Sequence, residues 1–168
     1  MKKFALIPTL LILFSCGSTK SLQEASDPAY SETSCPTEGG CTFEVLKNKS
    51  LVIKKDGIDK LYYSIADNPA TSVVKYRYDK KANPRLPDSG YAEEVVFEIA
   101  NDSKALDYKD SDIAQTKMLF GVMCFCKGKA GFYPVTSGTL AYKNNVLHIA
   151  LPELVDAQKL KDISIAFK

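Results

Sequence analysis

Residues 93–99 of the chain read EEVVFEI, and the spacing of their apolar side chains decides the predicted fold class. Val95, Phe97 and Ile99 alternate with residues that include Glu94 and Glu98. Because successive side chains of a β-strand point to opposite faces, this period of two predicts a strand with one apolar and one charged face. Glu93, Glu94 and Glu98 could suggest paired acids, but Glu94 and Glu98 lie opposite Val95 and Phe97, so we favour a solvated face.

The same alternation recurs along most of the chain. Strands are predicted over residues 41–47, 50–55, 61–66, 73–78, 95–99, 138–142, 146–151 and 163–167. Asp56-Gly57 is a strong hairpin-turn dipeptide, and residues 118–126 are apolar apart from Gly121, which predicts a strand covered on both faces. The predicted fold is a single-domain, mostly β, antiparallel β-sandwich or partly open barrel with one or two short helices.

Two segments of the second half are predicted to be helical. Asp110 and Asp112 are N-cap candidates for a short helix over residues 112–117, and residues 152–161 are read as a short helical return. Together with Asp107, the two aspartates could also suggest calcium. The EF-hand spacing, its glycine and its terminal glutamate are missing, so helix capping is favoured.

The N-terminus carries the pattern of an exported lipoprotein. Lys2 and Lys3 precede an apolar run over residues 4–14, which at ~1.5 Å per residue is too short to span a bilayer as a helix. The run ends in Leu13-Phe14-Ser15-Cys16, which resembles the lipobox of bacterial lipoproteins. The sequence therefore predicts a signal peptide over residues 1–15, a lipidated Cys16, a flexible tether over residues 16–34 and a globular β domain over residues 35–168.

The charge balance argues against nucleic acid as a partner. With Lys2 and Lys3 removed, the 22 basic side chains fall to the same number as the 20 acidic ones. A formal charge near zero gives no electrostatic footprint for nucleic acid or for a charged membrane patch. The predicted membrane contact is therefore the N-terminal lipid.

Four cysteines follow Cys16 in the sequence: Cys35, Cys41, Cys124 and Cys126. An even number in an exported chain predicts two disulfides. Since cysteines two residues apart in an extended strand are poorly placed to pair, we expect Cys124 and Cys126 each to bridge to Cys35 or Cys41. A thiol-redox pair or a soft-metal site at Cys124 and Cys126 stays open, although alternation places Met123 on the opposite face.

Other chemical candidates have simple structural explanations. His148 is the only histidine, so multi-histidine zinc sites are excluded, and its position in residues 146–151 points it outward. Tyr63, Tyr76 and Tyr78 alternate as core residues would. We predict no catalytic residue, no cofactor and no metal site.

Four segments resemble small uncharacterised lipoproteins of flavobacteria and their relatives among the Bacteroidota. The segments are residues 41–55 (CTFEVLKNKSLVIKK), 60–65 (KLYYSI), 93–99 (EEVVFEI) and 117–135 (KMLFGVMCFCKGKAGFYPV). The resemblance implies a cell-envelope address and one domain. It implies no activity and no catalytic residues.

Taken together, these patterns favour a lipid-anchored protein of the cell envelope, in the outer membrane, with a non-enzymatic binding or structural role. Its expected partners are the membrane, through the N-terminal lipid, and an envelope protein or ligand. The first alternative is a metal-handling or thiol-redox protein that uses Cys124 and Cys126. The second is an inhibitor of a lytic enzyme.

Overall fold

The computed structural model of the protein describes residues 21–22, 30–32, 34–86 and 88–167. Within these residues the chain forms two antiparallel sheets and one short 3-10 helix, Asp110–Thr116. The strands are β1 (Tyr30–Glu32), β2 (Gly39–Leu46), β3 (Lys49–Lys55), β4 (Leu61–Asp67), β5 (Thr71–Lys80), β6 (Tyr91–Ala100), β7 (Leu106–Lys109), β8 (Leu119–Cys124), β9 (Gly131–Pro134), β10 (Thr139–Lys143), β11 (Val146–Ala150) and β12 (Asp162–Phe167). The predicted mostly β, sandwich-like fold is confirmed.

The two sheets pack face to face around one apolar core. The smaller sheet has the order β1-β12-β11-β10-β7, and the larger has the order β2-β5-β6-β8-β9-β4-β3. Alternate residues of both sheets fill the space between them, including Phe97, Phe120, Leu140 and Ile163, all fully buried. The predicted strands all have a counterpart, while the short strands β1, β7 and β9 were not predicted.

The larger sheet curls, so that the β3–β4 hairpin packs on the outer face of β5, β6 and β8. A second apolar cluster fills this fold-over and consists of Leu51, Val73, Val96 and Leu119, with Tyr63 and Phe132 packed against it. Tyr63 and Phe132 meet edge to face at a centroid distance of 5.2 Å. The central strands are therefore buried on both faces, as predicted for β8 but not for β5 or β6.

This second cluster overturns the predicted solvated face of β6. Glu94 is only 4% exposed, and the Glu98 side chain is largely covered. The alternation itself was read correctly, since Glu94, Val96 and Glu98 share one face. The interpretation was wrong because the hairpin covers that face and supplies partners for its carboxylates.

Part of the predicted tether belongs to the fold. Leu22 is fully buried in the core between the sheets, and β1 pairs with β12 in the register Tyr30 to Phe167. The Ser34 hydroxyl accepts a hydrogen bond from the Ser164 amide at 2.8 Å. The prediction of a flexible segment up to residue 34 is therefore wrong for these residues, and the fold begins before Cys35.

Two helix predictions need correction. The 3-10 helix begins at Asp110, and its N-cap position is Lys109 without a side-chain cap, so Asp110 and Asp112 lie inside the first turn. Residues 152–161 are not helical. Gln158 organises that segment instead, because its side chain donates to the Pro152 and Leu160 carbonyls and accepts from the Leu154 amide.

The predicted signal peptide, residues 1–15, and the predicted lipidation site Cys16 lie outside the described residues. Among the residues that the structure describes, no helix has the length and apolar character needed to cross a membrane.

Candidate functional site

Three loops of the larger sheet meet at one end of the molecule. The register pairs Gly39 with Lys80, Tyr91 with Cys124 and Leu61 with Phe132, so the strand ends that bound these loops are aligned. The Lys60 ammonium also donates to the Ala130 carbonyl at 3.5 Å and joins two of the loops. We call this surface the loop end, made of residues 56–60, 81–86, 88–90 and 125–130.

Each of the three loops exposes one large apolar side chain. The exposed fraction is 75% for Ile58, 57% for Leu86 and 85% for Phe125. Scattered single apolar residues on a surface need no explanation, but three on adjacent loops of one end mark a contact surface. The loop end is therefore the strongest candidate for a functional site.

Hydrogen bonds within the loops fix the positions of these side chains. The Asp56 carboxylate accepts from the amides of Ile58 and Lys60, both at 2.9 Å. Asn83 acts in the same way in its loop, where its side chain accepts from the Arg85 amide and its carbonyl from the Leu86 amide. The exposed side chains are presented on organised turns, which lowers the entropy lost on binding.

Two clefts flank Phe125. One has a volume of about 370 Å³ and is lined by residues that include Cys126, Lys127 and Lys159. The other has a volume of about 530 Å³ and is lined by residues that include Met123 and Ala92. Cys124 and Phe125 line both. Phe125 is one of six residues shared by the two linings, and both clefts have the size that proteins use for small ligands or side chains.

Positive charge predominates around the smaller cleft. Its lining contains four lysines and two aspartates, namely Lys80, Lys127, Lys129, Lys159, Asp88 and Asp156. The Glu38 carboxylate forms two salt bridges, one with the Lys159 ammonium at 3.2 Å and one with the Lys80 ammonium at 3.7 Å. The hydrogen bond from Lys159, followed by the two positive charges, holds the pKa of Glu38 below its ordinary value. Glu38 and the two aspartates therefore offset most of the charge of the four lysines, and the cleft keeps a small excess of positive charge.

A buried carboxylate supports the wall of this cleft. Glu93 accepts hydrogen bonds from the Lys159 amide at 2.8 Å and from the Leu160 amide at 2.6 Å. It also accepts from the Tyr91 hydroxyl, whose pKa is raised by burial and by the nearby negative charge. Glu93, considered in the sequence as one of a possible pair of acids, is fully buried and ties the segment before β12 to the larger sheet.

The four cysteines form two local disulfides. Cys35 pairs with Cys41 and Cys124 with Cys126, at Cα separations of 5.8 and 5.2 Å. The expected bridges between the two segments are wrong. Strands β5 and β6 lie between β2 and β8, so Cys41 and Cys124 are three strand spacings apart, about 14 Å, and a disulfide needs less than about 7 Å.

The direct Cys124–Cys126 bond was judged unfavourable on the assumption that both residues lie in an extended strand. Strand β8 ends at Cys124, and the chain turns at Phe125. The turn brings Cys126 within bonding reach. The sequence signal for this ending was Lys127-Gly128, where the left-handed Gly128 favours a turn.

Local pairing changes what the disulfides can do for stability. By the chain-entropy relation, a disulfide that closes a short loop stabilises the folded state by about 2 kcal/mol. The expected bridges, which would close loops of some 80 to 90 residues, would stabilise it by about 4.5 kcal/mol. Stabilisation of the whole fold is therefore not the main effect of the Cys124–Cys126 disulfide. Its direct consequence is local: it fixes the turn that presents Phe125.

The remaining predicted candidates do not converge on a site. His148 is exposed on β11, as predicted, while Tyr76 and Tyr78 are buried in the core. Tyr63 packs on the second cluster and donates to Glu94 at 2.6 Å, and burial followed by this bond raises its pKa. Within the described part of the chain, no group of three or more histidine, cysteine or carboxylate side chains could hold a metal ion.

Sequence reasoning missed the exposed residues of the loop end. Ile58 follows the predicted Asp56-Gly57 turn, and Leu86 lies between Pro84 and a second proline. An apolar residue inside a turn or a proline-rich loop has no core to enter, and this was the available signal. Phe125 gave no such signal because it was assigned to a strand.

A scan against protein-family models, a comparison with curated proteins and a comparison with solved structures each found no match. The chemistry of the loop end is therefore the basis for assigning a function.

Proposed function

We propose that this protein is a lipid-anchored, non-enzymatic binding protein of the cell envelope whose loop end holds an extended polypeptide partner. The observation that carries the proposal is Phe125, an 85% exposed aromatic side chain fixed between two disulfide-bonded cysteines. An aromatic anchor held rigidly at a surface is the type of residue that dominates binding energy at protein interfaces.

The envelope address rests on the N-terminus and the cysteines. The basic head, the short apolar run and the lipobox-like Leu13-Phe14-Ser15-Cys16 motif support export followed by lipidation of Cys16. Two disulfides fit an oxidising compartment outside the cytoplasm. The absence of an excess of basic residues after removal of the signal supports the lipid as the anchor.

The direction of β1 supports an outward-facing loop end. Tyr30, the first residue of β1, pairs with Phe167, the last residue of β12. The start of β12 follows Lys159 and Leu160, which bind Glu93 near the loop end. Strand β1 therefore starts at the end of β12 that is remote from the loops. An anchor before β1 leaves the loops free to face away from the membrane.

The shape and charge of the loop end favour a polypeptide as the partner. An extended chain can lay an apolar side chain against Phe125 and the larger cleft beside Met123 and place an acidic side chain at the smaller cleft. Ile58 and Leu86 extend the apolar contact onto the adjacent loops. Lys127 and Lys80 at the cleft favour acidic residues in the same segment.

Lipidation is tested by labelling cells with an alkyne fatty acid. The wild-type protein should be labelled and should partition with membranes, and Cys16→Ser should be neither labelled nor membrane-bound. Equal labelling of the two proteins would overturn the anchor. The Cys35→Ser/Cys41→Ser double variant is a matched control that should keep the label.

Binding is tested with a reduced, carboxymethylated protein that cannot fold and carries acidic groups. Fluorescence anisotropy should show that the wild type binds this probe. The affinity should fall about tenfold in Phe125→Ser and further in the triple variant Ile58→Ser/Leu86→Ser/Phe125→Ser. Val146→Ser is the matched control, because Val146 is an exposed apolar residue on the other sheet. Equal binding by all variants would contradict the proposal, as would stronger loop-dependent binding to lipid vesicles than to the unfolded protein.

A further inference from the structure

We propose that the Cys124–Cys126 disulfide is a thiol–disulfide exchange site for cysteine-containing polypeptides at the loop end. The proposal goes beyond the non-enzymatic function proposed above: it rests on polypeptide binding at the same surface and adds a reaction to it. Its observation is the local pairing of two cysteines around an exposed aromatic residue, beside a cleft lined by lysines.

All four cysteines are partly buried, but the two disulfides differ in their surroundings, because Cys124 and Cys126 line a cleft. Cys35 and Cys41 both pack against the core between the sheets. Cys124 also touches that core from the end of β8, but Cys126 lies in the turn beyond the strand and lines the open cleft. Both sulfurs therefore belong to residues that border the smaller cleft, and we assign the attack to Cys126 because it lies beyond the end of the strand. Access is a main determinant of exchange rates.

Reduction of Cys124–Cys126 leaves the fold in place. The bond encloses only Phe125, which lies beyond the end of β8. Strand β8 keeps its neighbours, since its register with β6 and β9 is made by backbone pairs such as Tyr91 with Cys124 and Val122 with Gly131. Both redox forms can therefore be folded, as a reversible exchange site requires.

The charges around the pair favour the thiolate form. The lining that contains both cysteines has four lysines, with Lys80 paired to Glu38, against Asp88 and Asp156, and so keeps a small excess of positive charge. Positive charge near a cysteine stabilises its thiolate, and a stabilised thiolate is the better leaving group in exchange. The site has no CxxC motif at the start of a helix, and the lysines of the cleft supply the positive potential instead.

The reaction balances with a polypeptide dithiol as the co-reactant. A substrate thiolate attacks the Cys126 sulfur, the Cys124–Cys126 bond breaks, and Cys124 leaves as a thiolate. The second substrate thiolate then attacks the substrate sulfur of the mixed disulfide, and Cys126 leaves with its electron pair. The substrate loses two electrons and two protons and becomes a disulfide, the protein pair gains two electrons, and the protons end on the cysteines or in water. A small-molecule or protein disulfide of the envelope reverses the reduction.

Phe125 gives the reaction its substrate class. Its exposed ring and the larger cleft beside Met123 bind the apolar side chains that an unfolded exported chain still exposes. A bound segment then places a nearby cysteine beside Cys126. Phe125 is a binding residue in this scheme and takes no part in the sulfur chemistry.

In the test, the purified protein is equilibrated in glutathione redox buffers. The redox state of each cysteine is then measured by differential alkylation and mass spectrometry. The ratio of reduced to oxidised Cys124–Cys126 should be at least about tenfold higher than that of Cys35–Cys41, with the circular dichroism spectrum unchanged. If both pairs resist reduction equally, or if reduction unfolds the domain, the exchange site is overturned.

Two variants locate the attack and separate this proposal from the binding function. Cys124→Ser should form a stable mixed disulfide at Cys126 with an oxidised peptide probe. Phe125→Ser should slow exchange with an apolar dithiol peptide by about tenfold and leave exchange with glutathione unchanged. Loop-dependent binding of the carboxymethylated protein without exchange would reject only the redox site. Exchange with glutathione without that binding would reject only the polypeptide surface.

Discussion

The carboxylate of Glu98 accepts a hydrogen bond from the backbone amide of Leu51, with 2.6 Å between Oε2 and N. The Ser50 hydroxyl donates to the same oxygen at 2.8 Å, and the Lys117 ammonium lies 3.0 Å from it. The amide and the hydroxyl belong to β3, whereas Glu98 belongs to β6. One carboxylate therefore fastens the folded-over hairpin to the centre of the larger sheet.

Glu98→Gln should lower the free energy of unfolding by about 1 to 2 kcal/mol. The side-chain oxygen of the glutamine can keep one hydrogen bond as an acceptor. The glutamine loses the ionic interaction with Lys117, and its NH2 group adds donors that have no partners. Urea denaturation followed by fluorescence measures the change. Glu44→Gln on the exposed face of β2 is the matched control and should leave the midpoint unchanged, and an equal effect of both variants would contradict the role of Glu98.

The same carboxylate should make stability depend on acid pH. Burial alone would raise the pKa of Glu98, but hydrogen bonds from Leu51, Lys117 and Ser50 outweigh it, so its pKa lies below the ordinary value of 4.5. A carboxylate with a lowered pKa in the folded state stabilises the fold above its unfolded pKa, and this contribution is lost as pH falls through the folded pKa. The unfolding free energy of the wild type should therefore decline more steeply below pH 4.5 than that of Glu98→Gln. Parallel declines in urea titrations would contradict this assignment.

The strand pattern could be read from the sequence because alternation records which residues share a face. It could not show which faces are covered. Glu94, Val96 and Glu98 share one side of β6 in both prediction and structure, but only the path of the distant β3–β4 hairpin decides that this side is buried. Long-range packing, and not local propensity, decided the burial of these carboxylates.

The candidate site was predictable only in part. The cysteines were identified from their number, but their partners depend on strand order, and β5 and β6 separate Cys41 from Cys124. The loop end also depends on strand order, because residues 56–60, 81–90 and 125–130 are far apart in the sequence. Turn signals at Asp56-Gly57 were visible, whereas the alignment of three turns at one end was not.

Glu93→Gln should loosen the segment that walls the smaller cleft. The buried carboxylate accepts hydrogen bonds from the backbone N–H groups of Lys159 and Leu160. A glutamine side chain offers one acceptor oxygen where the carboxylate offers two. We expect amide hydrogen exchange at residues 159 and 160 to accelerate by about tenfold or more, while exchange in β11 stays unchanged. Glu94→Gln is the control on the opposite face of β6. Unchanged protection of the two amides in Glu93→Gln would show that the carboxylate does not hold the segment.

Gly121→Ala should destabilise the fold by about 1 to 3 kcal/mol. A Cβ atom at Gly121 would overlap the Phe132 ring, which packs against the second apolar cluster. Phe132→Leu in the same chain should recover part of the loss, because the smaller side chain frees the space beside residue 121. Gly40→Ala meets nothing within 4 Å and serves as the control in thermal denaturation. Additive effects of Gly121→Ala and Phe132→Leu would contradict the proposed overlap.

The last prediction concerns the pairing of the cysteines. Digestion of the unreduced protein should yield one disulfide-containing product with Cys35 and Cys41 and a second with Cys124 and Cys126, and no product that joins the two segments. A linked product would contradict the local pairing, which follows from the strands β5 and β6 between them.

The two pairs should also differ when they are removed. The Cys35→Ser/Cys41→Ser variant should lose about 2 kcal/mol of unfolding free energy, because the bond closes a short loop and both sulfurs pack against the core. The Cys124→Ser/Cys126→Ser variant should lose less, since its loop is shorter and Cys126 lines a cleft. Its larger effect should be faster hydrogen exchange at residues 125–130, where the turn is no longer fixed. A greater loss of global stability in this variant than in the first would show that Cys124–Cys126 is a structural staple and would remove the reason for its proposed local role.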